Sequence, residues 1–148
     1  MKTLITGHRL FKLENYDIDW IQWAIFDALE NTFLQNTAYG LSGMAGGVDL
    51  WFCDELATRH IPYAACIPFD GQEDTMDEMS KNDRARLINQ ASNVYKMRNS
   101  EMVERADAGL VVFDGNKGGT HNVFQQLIEN DKPFVWINPV GKKIWECN

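Results

Sequence analysis

A chain of 148 residues falls within the ~100–200 residues of a single domain, and 45% apolar with 24% charged residues is a globular composition that excludes a disordered polymer. No apolar run approaches the ~20 residues that cross a bilayer, and the opening stretch Met1–Leu10 has no signal-peptide core, so neither a membrane partner nor export is expected. Fourteen Lys and Arg against twenty-one Asp and Glu leave a net charge of −7, which opposes wrapping of a nucleic-acid backbone, while Cys53, Cys66 and Cys147, without a C-x-x-C pair, argue for a reducing cytoplasm and against a zinc ribbon.

In chain order, the first apolar run is Thr3–Thr6, followed by a helical stretch in which Ile18, Ile21, Ile25, Ala28 and Leu29 share one face. Tyr39–Ser42 is the second strand, and Val48, Phe52 and Leu56 form the buried stripe of the helix after it. Tyr63–Ile67 is the third. The polar loop Phe69–Asp74 then leads to Thr75-Met76-Asp77-Glu78, whose spacing predicts a capping box opening another helix. Asn93–Tyr95 and Gly109–Phe113 are the fourth and fifth strands. A helix with Val123, Phe124, Leu127 and Ile128 on one face precedes a sixth, Phe134–Ile137. Pro62 and Pro133 end the helical stretches before them.

Most of these runs are apolar at consecutive positions, the pattern of strands buried on both faces. Five β-α units and a last strand, joined by right-handed crossovers, predict an α/β domain over residues 1–148 with a mostly parallel sheet of about six strands between two helical layers. In such a sheet ligands bind beyond the carboxyl ends of the strands, where strand order reverses. Three of the loops at those ends are unusual.

The first strand runs into Thr6-Gly7-His8-Arg9, which brings an imidazole and a guanidinium to the sheet edge; Arg9 can grip a phosphate or carboxylate through two N–H groups. Taken alone, Arg9 also reads as an ordinary surface arginine and His8 as a structural residue. The second strand runs into Ser42-Gly43-Met44-Ala45-Gly46-Gly47-Val48-Asp49, where Gly43, Gly46 and Gly47 let backbone approach a ligand beside free helix N–H groups. Asp49 fits either a ribose hydroxyl or simple compensation of the helix dipole. The fifth strand runs into Asp114-Gly115-Asn116-Lys117-Gly118-Gly119-Thr120, a turn followed by a second glycine pair, with Lys117 adding charge and Thr120 a hydroxyl. Neither loop is a G-x-G-x-x-G or a Walker A motif.

These residues carry a family resemblance. Ser42–Asp49 resembles the S-G-x-A-x-G-[IV]-D stretch of the Rossmann-like domain of the DNA-processing protein DprA. Met97-Arg98-Asn99-Ser100-Glu101-Met102, Ala106-Asp107 and Gly118-Gly119-Thr120 resemble the R-x-x-x-M…D…G-G-x-G-T pattern of the LOG (Lonely Guy) phosphoribohydrolases. Ile5–Arg9, with Ile67-Pro68-Phe69-Asp70-Gly71-Gln72, is similar to the YpsA-like branch, and all three groups belong to the SLOG superfamily.

The resemblance implies a Rossmann-like fold that binds a nucleotide or nucleotide-derived small molecule, for sensing or sequestration, with no further cofactor. It implies a pocket walled by Thr6, Gly7, His8 and Arg9 on one side and by Gly43, Ala45, Gly46, Gly47 and Asp49 on another, with Gly118, Gly119 and Thr120 at a phosphate. Pro68, Phe69 and Gln72 would border it, with Gln72 on a loop placed to act as a lid. Arg98 matches the LOG arginine that contacts substrate near the scissile N-glycosidic bond, which would make it catalytic in a hydrolase, and Asn99 follows it.

The LOG motif continues with x-E-E after its threonine, whereas His121-Asn122-Val123 stands here. The carboxylate that would assist cleavage is absent from those positions; Glu101 or Asp114 could replace it only if the fold brought one to the sugar, and His121 and Asn122 suit binding. A phosphoribohydrolase is therefore the alternative reading, and DprA-like binding of single-stranded DNA a third that the net charge opposes.

The acidic residues Asp70, Glu73, Asp74, Asp77 and Glu78 read as a solvated loop and helix start, and His8, His60 and His121 lack zinc spacing, so no metal is expected. His60 reads as a helix C-terminal residue, and Cys53 and Cys66 as core. Trp20 and Trp23 lie opposite the aliphatic stripe of their helix, which predicts a homo-oligomer interface; packing of a C-terminal tail with Ile144 and Trp145 is the competing explanation.

Overall fold

A computed structural model describes residues 1–148. The chain runs β1 (Lys2–Gly7), α1 (Leu10–Leu13), α2 (Ile18–Asn31), β2 (Tyr39–Ser42), α3 (Val48–Thr58), β3 (Tyr63–Ile67), α4 (Glu78–Gln90), β4 (Asn93–Lys96), α5 (Asn99–Arg105), β5 (Ala108–Val112), α6 (Gly119–Glu129), β6 (Phe134–Asn138) and β7 (Lys143–Cys147). The seven strands form one sheet in the order β4-β3-β2-β1-β5-β6-β7; all neighbours are parallel except the antiparallel pair β6–β7. This is the three-layer, Rossmann-like α/β architecture expected from the consecutive apolar runs.

Strand alternation divides the core. Ile5, Ala65, Leu110, Val112 and Val135 point to one face of the sheet and meet Ile21, Ala24 and Ile25 of α2, Phe52 and Leu56 of α3 and Leu87 of α4. Leu4, Leu41, Ala64, Val111 and Phe134 point to the other face, against Met102 and Val103 of α5 and Val123 and Leu127 of α6. Each fully buried Leu, Ile or Phe contributes about 1.5–3 kcal/mol of hydrophobic free energy. Strand order grows outward from β1 through β2, β3 and β4, then returns to place β5 on the other side of β1. The β1/β5 boundary is therefore the switch point, and the helices change face there because right-handed crossovers in opposite directions cover opposite faces.

Four expectations need correction. A seventh strand follows the six read from the sequence: Lys143–Cys147 is a partly exposed edge strand entered through Gly141 and Lys142, both with positive φ. What reads as a tail thus joins the sheet, with Ile144 packed into the core that also receives Trp20, and Trp145 packed against Trp136 on the opposite face, ring centroids 4.7 Å apart and planes tilted by 43°. Trp20 is accordingly half-buried, and only Trp23 stays open to solvent, beside Phe26.

The capping box on Thr75 is displaced. Thr75 ends a 3-10 turn over Gln72–Thr75, and Asp77 caps α4 by accepting from the Ser80 N–H at 2.7 Å. Ile128 is exposed, so the stripe on α6 is Val123 and Leu127, with Phe124 half-buried. Finally, β4 is exposed along its whole length because it is an edge strand, although its apolar residues suggested burial. His60 follows the end of α3 in the left-handed region, at φ 58°.

Candidate functional site

The carboxyl ends of β1, β2, β3 and β5 surround a cavity of about 390 Å³ at the switch point. From β1 it is lined by Thr6, Gly7, His8 and Arg9. Gly7 is required here: a Cβ would lie 2.7 Å from Val48 Cγ1 and 3.0 Å from the Val112 carbonyl oxygen, so only glycine lets β1 end against α3. His8 is buried, its ring edge-on to Phe113. Its Nε2 lies 3.2 Å from both the backbone N–H and Oδ1 of Asp114, so the imidazole can accept from the first or donate to the second. The Tyr16 hydroxyl donates to the other Asp114 oxygen at 3.1 Å. Partial burial raises the pKa of Asp114, but hydrogen bonds from the Asn116 N–H and from His8 outweigh it and hold the carboxyl below its usual value.

From β2 come Gly43, Ala45 and Asp49. Gly47, at φ 89°, turns the chain into α3 where an added Cβ would meet the Leu10 amide nitrogen at 3.0 Å. The loop is closed by its own side chains. Ser42 Oγ accepts from the Met44 N–H and donates to the Asp49 carbonyl, both at 3.2 Å, and Asp49 Oδ2 accepts from the Ala45 N–H at 3.1 Å. The Asp49 carboxylate thus already sits at the start of α3. Burial pushes its pKa up to about 7, against the opposing effects of the Ala45 N–H and the Arg9 charge.

From β3 come Pro68, Phe69 and Gln72. Gln72 is a strut rather than a movable lid: it is buried, donates to the Gly43 carbonyl at 2.8 Å and accepts from Arg84 Nε and Nη2 at 3.3 and 3.1 Å. The acidic residues around it are dispersed among separate partners, with Asp70 on Lys96, Glu73 on Arg84 and Glu78 on Lys81.

Gly118, Gly119 and Thr120 complete the cavity at the start of α6, joined by Asn99 from the beginning of α5. A Cβ on Gly119 would meet nothing within 4 Å, and the first-turn N–H groups of α6 face no side-chain cap. The helix start is thus uncapped and open to the cavity, the geometry in which helix N–H groups can meet an anion.

Six of the sequence-derived candidates lie outside this cavity. Gly46 opens on a neighbouring one, and Gly47 supports the loop from behind. Asp114 holds His8. Lys117 and Asn122 are exposed away from the lining. Arg98, its side chain 82% exposed, pairs with Glu101 at 3.7 Å and does not line the cavity. Conversely, Ile5, Phe11, Lys12, Met102 and Asn116 line it although no sequence pattern marks them for binding, and His121, next to the glycine pair, lines it too. Lys12 Nζ would lie 4.0 Å from a Cβ on Gly118, which makes it a basic side chain at the glycine pair. Its place on the short helix α1, beyond the first loop, carries no motif, and only the spatial return of α1 over the β5 end reveals it.

Cys53 and Cys66 are buried, and burial raises both thiols above their ordinary range. No helix is long and apolar enough to cross a membrane. No family model matches the chain, and no curated protein matches it significantly. Fold and site together define a Rossmann-like α/β domain with a cavity at the switch point, bordered by the uncapped start of α6.

Proposed function

We propose that this is a SLOG-type nucleotide-binding protein that holds a nucleoside phosphate or an ADP-ribose-like molecule in the switch-point cavity, for sensing or sequestration. The observation that carries the reading is the shared opening of the two glycine-rich loops, after β2 and after β5, onto one cavity of about 390 Å³. Phosphate rests on the amides of residues 119–121, with Arg9 and Lys12 supplying local positive charge in a protein of net charge −7. The ribose faces Asp49, Asn99 and Thr120, whose oxygens accept from hydroxyl groups.

Native mass spectrometry of the freshly purified chain, followed by titration with AMP, GMP, ADP and ADP-ribose, tests this. Bound nucleotide mass and saturable binding of at least one probe are expected; the absence of both refutes the proposal.

A phosphoribohydrolase is the second reading, favoured by one observation: Asp49 has its carboxyl raised to about 7 inside the cavity, where it can take or give a proton near neutral pH. The exposed Arg98 and the sequence His121-Asn122 where LOG enzymes carry acidic residues weigh against it. Free base released from AMP or GMP, and lost in Asp49→Asn, supports hydrolysis; tight binding with no release eliminates it. Self-association is proposed on the exposed Trp23 and Phe26 of α2. Trp23→Lys converts an oligomer to a monomer in sedimentation, and a wild-type chain that sediments as a monomer ends that proposal.

A further inference from the structure

A second cavity, of about 470 Å³, adjoins the first and shares Arg9, Phe11, Ala45, Phe69 and Gln72 with it. The two differ in chemistry. The first holds the α6 amides and Lys12. The second lies towards α4 and is bordered by Glu14 and Asp77, with Met76 and Ser80 beside them. The helix start facing it is not free, because Asp77 already accepts from the Ser80 N–H and hydroxyl at 2.7 and 3.2 Å. Two carboxylates and an occupied helix cap repel a phosphate and favour a neutral group that presents N–H or O–H donors. At the junction stand two aromatic rings, Phe11 at 63% and Phe69 at 51% exposure, which no core packing explains.

We infer that the two cavities form one bipartite site in which a purine nucleotide lies extended, its phosphate in the first chamber and its base in the second, stacked on Phe11 or Phe69 with donors turned to Glu14 and Asp77. The inference rests on the nucleotide reading above and adds to it which residues select the base. Arg9, which borders both chambers, spans the junction between phosphate and base.

The test is calorimetric titration of the intact chain with GMP, AMP and ribose 5-phosphate. Phe11 and Phe69 are exposed, so alanine at either leaves the fold intact, which circular dichroism checks. The expected result is that Phe69→Ala or Phe11→Ala weakens GMP or AMP binding about tenfold, as loss of base–aromatic stacking does, and leaves ribose 5-phosphate within about twofold of wild type. Glu14→Gln with Asp77→Asn alters the ratio of GMP to AMP affinity without changing ribose 5-phosphate binding. Unchanged purine binding in both phenylalanine variants, or equal weakening of all three probes, overturns the inference while leaving the nucleotide reading standing. A wild-type chain that binds none of the three probes overturns the inference; the nucleotide reading falls with it only if ADP and ADP-ribose also fail to bind and no nucleotide mass is found.

Discussion

The loops after β2 and after β5 look alike in sequence, each rich in glycine and each leading into a helix, yet they are finished differently. The first is satisfied from within: Ser42, Asp49 and Gln72 take up the Met44 and Ala45 amides and the Gly43 carbonyl, and the carboxylate of Asp49 lies at the start of α3. In the second, Asn116 N–H turns back to Asp114 and Asn122 N–H to Gly118, while nothing lies within 4 Å of a Cβ placed on Gly119. A helix start that already holds a carboxylate has little left to offer a phosphate; one without a cap does. The difference teaches that one loop is a closed wall, and that the other alone is left open as the seat of the proposed phosphate.

Substitution at the seat breaks the comparison most sharply. Gly119→Glu puts an anion where the proposed phosphate would rest, and binding of a nucleotide found to bind wild type falls by more than about 100-fold. The melting temperature stays close to wild type, because the added side chain meets no neighbour. In the wall the opposite holds. Gly47→Ala forces a side chain into a left-handed conformation against the Leu10 amide and destabilises the fold by about 2 kcal/mol, read as a lowered urea midpoint.

Asp49 makes the wall sensitive to pH. Its carboxyl titrates at about 7 when folded and near 3.8 in an ordinary setting, so the folded chain holds the extra proton between those values. The stabilisation from that proton is full below about 4 and declines as pH rises towards 7, on the order of 3 kcal/mol over the window. Asp49→Asn removes this decline: its stability relative to wild type rises steadily from pH 4 to pH 7 in urea titrations. A constant difference across that range sinks the assignment. Gln72→Ala is expected to cost somewhat less, about 2 kcal/mol at every pH, since it strips the buried Arg84 of one acceptor but leaves Glu73.

The sheet was legible because buried parallel strands write themselves as consecutive apolar residues, and Leu110-Val111-Val112 can be little else. β7 was not, since Lys143-Ile144-Trp145-Glu146 owes its conformation to pairing with β6 and to the packing of Trp145 against Trp136. The candidate site divides the same way. Residues on the loops directly after strands could be named from the chain, because topology alone delivers those loops to one edge. The contribution of α1 could not, because Phe11 and Lys12 reach the cavity through a turn whose direction no local pattern encodes. The Asp49 to Ala45 hydrogen bond likewise depends on a loop conformation, and separates its dipole role from its ligand role only in three dimensions.

The smallest expected effect gives the finest discrimination between chain and fold. Sequence order offers Lys117, inside the glycine loop itself, as the cation for the phosphate, whereas the folded molecule offers Lys12, with its ammonium 4.0 Å from a Cβ on Gly118. Both side chains are exposed, so neither removal disturbs the core, and an ammonium in solvent beside a bound phosphate adds only a modest, salt-screened attraction. Lys12→Ala is expected to weaken nucleotide binding about three- to fivefold at low salt, with the difference shrinking as salt is raised. Lys117→Ala leaves affinity within about twofold. The reverse ranking, measured by titration at two salt concentrations, returns the phosphate to the position that the linear motif suggests and removes α1 from the site.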